Sequence, residues 1–353
     1  MLKLHVWGEG PIVSIISPEC IAATWILTNN PNIPVNEYEI ITSSNTNLSD
    51  IHKLPTLIVD NSEKIIKYQG FQEIVSFLEQ KFVKESKSSP ILSSKSQLNV
   101  RENLINVGLI TQLLSKIEYI HQYNLFINSK NYEGYVRKLF SRYLPFPMMY
   151  NQPLKFYNQA QAQVQLIGLN RGKVGFFSLS GNQDTTQTEY FNNDVDDDAY
   201  DDSSDDIEST KPLSALHERS IISKSKEKQM LEQSKNSMRC MNLLNSYLDY
   251  FFKAYQEFHP GTNSYGTIFH ESKLSTSEVL LIAYIYCLTF DELPDRFIHT
   301  YLKFKHSQFL EFADNISSQF STISKKGNIR GPVSEEIPSL YNEIKYWTGA
   351  IKY

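Results

Sequence analysis

The sequence predicts an α+β fold: an N-terminal α/β unit, then an all-α unit broken by one long acidic insertion. Three observations carry this. The first eighty residues alternate between period-two runs and helical runs. From about residue 101, apolar residues recur every three or four positions. Residues 169–230 are rich in Gly, Asn, Ser, Thr and Asp, with too few apolar side chains to anchor a core.

Leu2, Leu4 and Val6 alternate, and Gly8-Glu9-Gly10-Pro11 then turns the chain. Ser17-Pro18-Glu19 opens a helix, because serine caps and proline suits the first helical position. That helix runs through Ile21 and Trp25 to Asn29-Asn30-Pro31. Residues 38–42 read as a second strand, and residues 56–59 and 64–68 as a hairpin. Residues 70–82 form a helix with Ile74, Phe77 and Leu78 on one face. This order, β-α-β then β-β-α, is of thioredoxin type. The expected divisions are a thioredoxin-like domain over 1–83, a linker over 84–100 and all-α parts over 101–168 and 231–322. The disordered acidic insertion at 169–230 and a C-terminal tail at 323–353 complete them.

Helices are expected over 104–124, 132–143 and 153–168. Met241, Leu244, Leu248, Phe251 and Tyr255 form a stripe spaced 3, 4, 3, 4. Ser275 and Glu278 fit a capping box ahead of the apolar run 279–290. That run is twelve residues long, short of the about 20 that span a bilayer, so it reads as a buried core helix. Residues 325–353 show no clear core role.

The 353 residues allow two or three domains. Net charge is −5, but residues 194–208 carry eight Asp and one Glu, −9, so the rest of the chain is +4. A body this mildly basic makes no electrostatic case for nucleic acid. Cys20, Cys240 and Cys287 suit a reducing compartment without disulfides. Residues 2–7 read as a strand rather than a secretory signal, and no Arg-rich presequence is seen.

A thioredoxin-like unit followed by helices resembles the glutathione transferases. Leu54-Pro55-Thr56-Leu57 is similar to their cis-proline loop, residues 70–78 to the helix after the hairpin, and Ser275–Glu278 to the cap of their buried helix. Two segments further resemble the metaxins, the glutathione-transferase-like subunits of the mitochondrial sorting and assembly machinery, and among them the 37-kDa-type subunit. One holds His5-Val6-Trp7-Gly8, Ser17-Pro18-Glu19-Cys20 and residues 43–58. The other, more specific, is Arg142-Tyr143-Leu144-Pro145-Phe146-Pro147 followed by Pro153. The resemblance covers about residues 1–168 and 231–320.

The resemblance implies a non-enzymatic subunit without cofactor, peripheral on the cytosolic face of the mitochondrial outer membrane. Its expected partners are a β-barrel core subunit, a sister metaxin-like subunit, the outer-membrane translocase and the membrane surface. Its expected role is to support insertion and release of β-barrel proteins. A glutathione-dependent transferase and a cytosolic transferase-like adaptor are the alternatives. Transferase chemistry needs a hydroxyl or thiol near the end of the first strand, and Ser14 and Ser17 are the candidates, both also readable as turn and cap. The family grips the γ-glutamyl group with a Glu/Gln-Ser pair, where this chain has Gly70-Phe71, or Gln69-Gly70 with the alignment shifted by one; the hydroxyl is lost either way, and Phe71 is expected to plug the pocket. Cys20, near a helix N-terminus, lacks a partner cysteine nearby. The eight histidines form no metal-ligand pattern, and Gly168, Gly172 and Gly175 form no phosphate loop.

Two segments are candidate contact surfaces. Leu144, Pro145, Phe146, Pro147, Met148, Met149 and Tyr150 form an apolar run, awkward in a solvent loop. Tyr341, Ile344, Tyr346, Trp347, Ile351 and Tyr353, with Lys345 and Lys352, make an aromatic-basic tail suited to a membrane or a partner.

Overall fold

The strand β1 (Leu2–His5) sits at the centre of a five-stranded sheet of order β6-β5-β1-β4-β7. A computed structural model describes residues 1–61, 64–82, 90–92, 97–169, 215–261, 265–270 and 272–351. It divides into two units, residues 1–170 with 237–353, and residues 171–236.

In the first unit β1 pairs parallel with β4 (Tyr38–Ile41) and antiparallel with β5 (Thr56–Asn61), which forms the hairpin with β6 (Lys64–Gln69). Leu2, Leu4, Ile40, Leu57 and Val59 are all buried, as alternation requires of strands covered by helices. A small hairpin, β2 (Gly8–Glu9) and β3 (Ile12–Val13), follows β1. Gly8 is needed there, because a Cβ would lie 2.2 Å from the Ile12 carbonyl oxygen. Helices α1 (Pro18–Thr28) and α2 (Gly70–Lys81) complete the thioredoxin-like part, and Leu54–Pro55 is cis.

The expected helix over 104–124 is longer and less regular. It begins at α3 (Val100–Gln112), where Asn99 and Glu102 make a capping box, and continues through a π turn (Leu113–Ile117), α4 (Glu118–Gln122) and a second π turn (Tyr123–Ile127). A short α5 (Ser129–Asn131), a third π turn (Tyr132–Val136) and α6 (Arg137–Tyr143) follow. Each π turn holds an extra residue, so a strict 3.6 period loses phase along this stretch. Helix α7 (Met148–Leu166) starts five residues before the expected 153 and takes Pro153 into its interior.

Helix α9 (Thr276–Leu288) is the core of the all-α part, with every residue except Tyr286 buried. Ser275 Oγ accepts from the Glu278 amide, while Glu278 Oε2 accepts from the Ser275 amide at 2.8 Å and Oε1 from the Ile268 amide at 2.7 Å. The predicted cap is therefore present and fully buried. Helices α10 (Phe297–Lys305) and α11 (Ser307–Ser324) follow.

Three expectations need correction. Helix α8 (Ala215–Phe258) begins well inside the segment assigned to the disordered insertion at 169–230. Its first part was read as spacer because it is polar, yet Lys, Glu, Gln, Leu and Met are strong helix formers. The acidic run 194–208 lies outside the described residues. Within the expected linker at 84–100, Ile91 and Leu92 are buried, and Leu92 N–H donates to Leu274 O at 2.8 Å.

The third correction is the C-terminal segment, which has a core role after all. Strand β7 (Ile329–Arg330) adds in parallel to β4, with Ile40 N–H donating to Asn328 O at 2.8 Å and Thr42 N–H to Arg330 O at 3.1 Å. Arg330 donates to Glu39 Oε2 at 3.0 Å and to both carboxylate oxygens of Glu336 at 2.7 and 3.1 Å. Helix α12 (Leu340–Trp347) then packs on the 46–52 loop through Glu343 against Asn47 and Tyr346 against His52, and Ile351 is buried. Two residues are too few for alternation to reveal a strand.

Replacing Arg330 with Ala should loosen this arm by on the order of 1 kcal/mol, since the pairs are partly exposed. Amide exchange at Ile40 and Thr42 should then accelerate while the α9 amides stay protected. Unchanged exchange at Thr42 would contradict the clamp.

Candidate functional site

A cavity of about 630 Å³ opens where a thioredoxin-like fold binds its ligands, between the ends of β1, α1 and α2 and the first helices of the all-α part. Trp7 follows β1, Ser17 and Glu19 come from the start of α1, and Lys53 and Leu54 precede the cis-proline. Helix α4 supplies Glu118, Tyr119 and Gln122, and α7 supplies Gln152, Lys155, Phe156, Gln159 and Gln163. Phe156 packs against Trp7 at 5.6 Å and Phe126 at 5.7 Å, making one aromatic wall.

The cavity is not plugged by Phe71, as the sequence suggested. That ring is 1% exposed and points into the core; Gly70 lines the cavity instead. What occupies the N-terminus of α2 is a carboxylate of this same chain. Glu19 Oε2 accepts from the Phe71 amide at 3.1 Å. The α2 N-terminus favours negative charge there, and Gly70 supplies the left-handed φ of +74° that opens the helix.

Glu19 has a carboxylate neighbour. Burial, and then Glu118, pushes its pKa up from 4.5 to about 7. Glu118 is raised as well, chiefly by burial, although Gln122 Nε2 and Tyr284 Oη each donate to it at 2.9 Å. Lys53 opposes both shifts. Beneath them His121 is buried, and burial takes its pKa to about 4. It is therefore neutral, and its Nε2–H donates to Ile15 O at 3.0 Å.

The hydroxyl and thiol candidates are engaged in structure. Ser17 Oγ accepts from the Cys20 amide as the α1 cap, and Ser14 Oγ accepts from the Ile16 amide. Ser14 is buried. Cys20 is fully buried, and burial raises its thiol to about 12, so no thiolate forms near neutral pH.

The candidate contact run divides. Leu144 is buried, Met148 and Met149 pack against the core, and Phe146, 75% exposed, stacks edge-on with exposed Tyr150 at 6.2 Å. Pro145 is exposed and Pro147 precedes α7 through a cis bond from Phe146. On α12, Trp347 is 71% exposed, while Tyr346 packs on His52. Tyr353 lies outside the described residues. The sequence reading missed Glu19, Glu118, Lys53 and the glutamines. For the glutamines a signal existed: 152, 159 and 163 recur at 7 and 4, one helical face, flanked about 100° round the helix by the buried Pro153, Ala160 and Val164.

The sheet, the cis-proline loop and the capped α9 define a glutathione-transferase-like scaffold. Two family models match this chain: outer mitochondrial membrane transport complex protein, Tom37, over residues 20–157, and Tom37 C-terminal domain, over residues 191–351. The chain belongs to the Tom37 family, the metaxin-type family that its sequence resembles. No curated protein matches it. Among the described residues no helix is long and apolar enough to cross a membrane, and no cluster of His, Cys, Asp or Glu could hold a metal ion.

Glu19→Gln keeps an acceptor for the Phe71 amide and removes the titration. A raised folded pKa gives stability that is present below about 4.5 and lost as pH rises through about 7. The unfolding free energy of the native chain from denaturant titration should therefore fall relative to Glu19→Gln between pH 5 and pH 8, by about 2–3 kcal/mol. His5 and His121, both lowered to about 4, act in the opposite direction in both proteins and cancel. Parallel pH profiles would refute the assignment.

Proposed function

We propose that this chain is a non-enzymatic docking subunit of the outer-membrane sorting and assembly machinery. It sits peripherally on the cytosolic face, supports insertion and release of β-barrel proteins, and docks the outer-membrane translocase. Membership in a family of outer mitochondrial membrane transport complex proteins supports the setting. The observation that carries the non-enzymatic reading is Glu19 on the Phe71 amide. An internal carboxylate already fills the anchor point that a glutathione carboxylate needs, and displacing it would strand a charge beside Glu118. On this reading the protein acts by raising the effective concentration of precursor at a β-barrel core.

The exposed pair Phe146 and Tyr150, presented by the Leu144–Met149 run, is the proposed contact with the β-barrel core or the sister subunit. Aromatic side chains are enriched at interfaces. The exposed face of α12, Leu340, Tyr341, Ile344 and Trp347, is the proposed contact with the membrane surface. Lys345 lies 4.3 Å from the Tyr341 ring, holding a cation at the edge of that face.

Purification from mitochondria in mild detergent should bring a β-barrel core subunit and a sister subunit with this chain. Phe146→Ser with Tyr150→Ser should lower that recovery about tenfold, the loss of about 1.4 kcal/mol. Recovery without either subunit, or conjugation of an aryl halide by the pure chain, would overturn the reading. Trp347→Ser should reduce pelleting of the pure chain with anionic vesicles, and unchanged pelleting would remove the membrane contact.

A further inference from the structure

The cavity beside the cis-proline loop is walled by carboxamides whose hydrogen-bonding capacity is largely unused. Gln152, Gln159 and Gln163 make no side-chain hydrogen bond among the described residues. Gln122 gives one N–H to Glu118, while its Oε1 has no partner, and Gln163 Oε1 is likewise buried without one. Unpaired buried polar atoms are rare in folded proteins, and each calls for a cause. Of the eight such side-chain atoms among the described residues, two, Gln122 Oε1 and Gln163 Oε1, belong to the wall of this one cavity.

The chemistry of the wall selects among ligands. Two acidic groups, Glu19 and Glu118, and two ammonium groups, Lys53 and Lys155, line the cavity together, so it holds no cluster of one sign. The amide at the α2 N-terminus, the natural anion cradle, is taken by Glu19. A carboxamide offers an acceptor and two donors in one plane, which is the complement of a peptide unit. Beside the glutamines stand Trp7 and Phe156, a surface for apolar side chains.

The spacing agrees with an extended backbone. Gln159 and Gln163 are separated by about 6 Å along α7 at 1.5 Å per residue. An extended strand repeats its same-side amides every about 6.7 Å. The whole row from Gln152 to Gln163 spans about 16 Å, the length of about five extended residues. A volume near 630 Å³ lies in the about 300–1,000 Å³ range of ligand sites.

We propose that this cavity binds an extended polypeptide segment of a partner, read through its main-chain amides by Gln122, Gln152, Gln159 and Gln163, with apolar side chains laid against Trp7 and Phe156. The inference rests on the docking reading above and names the class of molecule that docks. Glutamines recognise the backbone rather than the sequence, so the site is tolerant of side-chain identity.

The test uses the full chain and an end-capped pentapeptide of alternating valine and threonine, labelled for fluorescence anisotropy. A second peptide carries N-methyl groups on its three central amides, and glutathione is the competitor. The capped peptide should bind, and N-methylation should weaken it about tenfold, since two or so hydrogen bonds of about 1 kcal/mol each are lost. Gln163→Leu should weaken binding similarly without harming the fold, because it removes a buried unpaired acceptor. Gln159→Ala, at an exposed position, gives a second variant whose folding is not in question. No binding at millimolar peptide would overturn the proposal. So would equal affinity for the N-methylated peptide, or a response to glutathione that survives both substitutions. Peptide binding by the pure chain and recovery of the membrane complex are read separately, so failure here and failure of the docking reading are distinct results.

Discussion

The carboxylate of Glu19 is the constraint around which the site is arranged. It ties the first turn of α1 to the first turn of α2 across the end of β1. A free ligand with a carboxyl group would have to compete with a partner already held at fixed distance by the chain. Intramolecular contacts of this sort carry little further entropy cost on forming, because the fold has already ordered both ends. The amide at the α2 N-terminus is thus engaged from within while the surrounding space stays open.

The open part is then free for another task. Its walls are neither strongly charged nor apolar throughout. Aromatic rings, amides and charged groups of both signs line it together. The π turns before and after α4 matter here. Each shifts the helical phase by one residue, and α4 lies between two of them, presenting Glu118, Tyr119 and Gln122 to the same cavity.

Much of the fold was legible because its signals are local. Leu2, Leu4 and Val6 alternate, Ser17-Pro18 starts a helix, and Ser275 with Glu278 writes a cap into four residues. The illegible parts depend on partners distant in sequence. Strand β7 is two residues long and exists because Glu39 and the β4 edge receive Arg330. The Glu19 carboxylate sits in a Ser-Pro-Glu turn that reads as an ordinary helix start; only the folded chain brings the Phe71 amide to it. The glutamines of α7 look like a solvated face, since polarity alone does not tell water from a cavity. Phe71 misled in the opposite sense, because its ring turns into the core rather than toward the ligand space.

The β7 closure has a temporal side. The edge of β4 is completed by residues made nearly three hundred positions later. At about 5–20 residues per second, the ribosome needs tens of seconds to deliver them. Throughout that interval the nascent N-terminal sheet carries an unfinished border, the kind of surface that recruits stray strands and chaperones. The chain therefore seals its first domain only after the helices from α3 to α11 have been made.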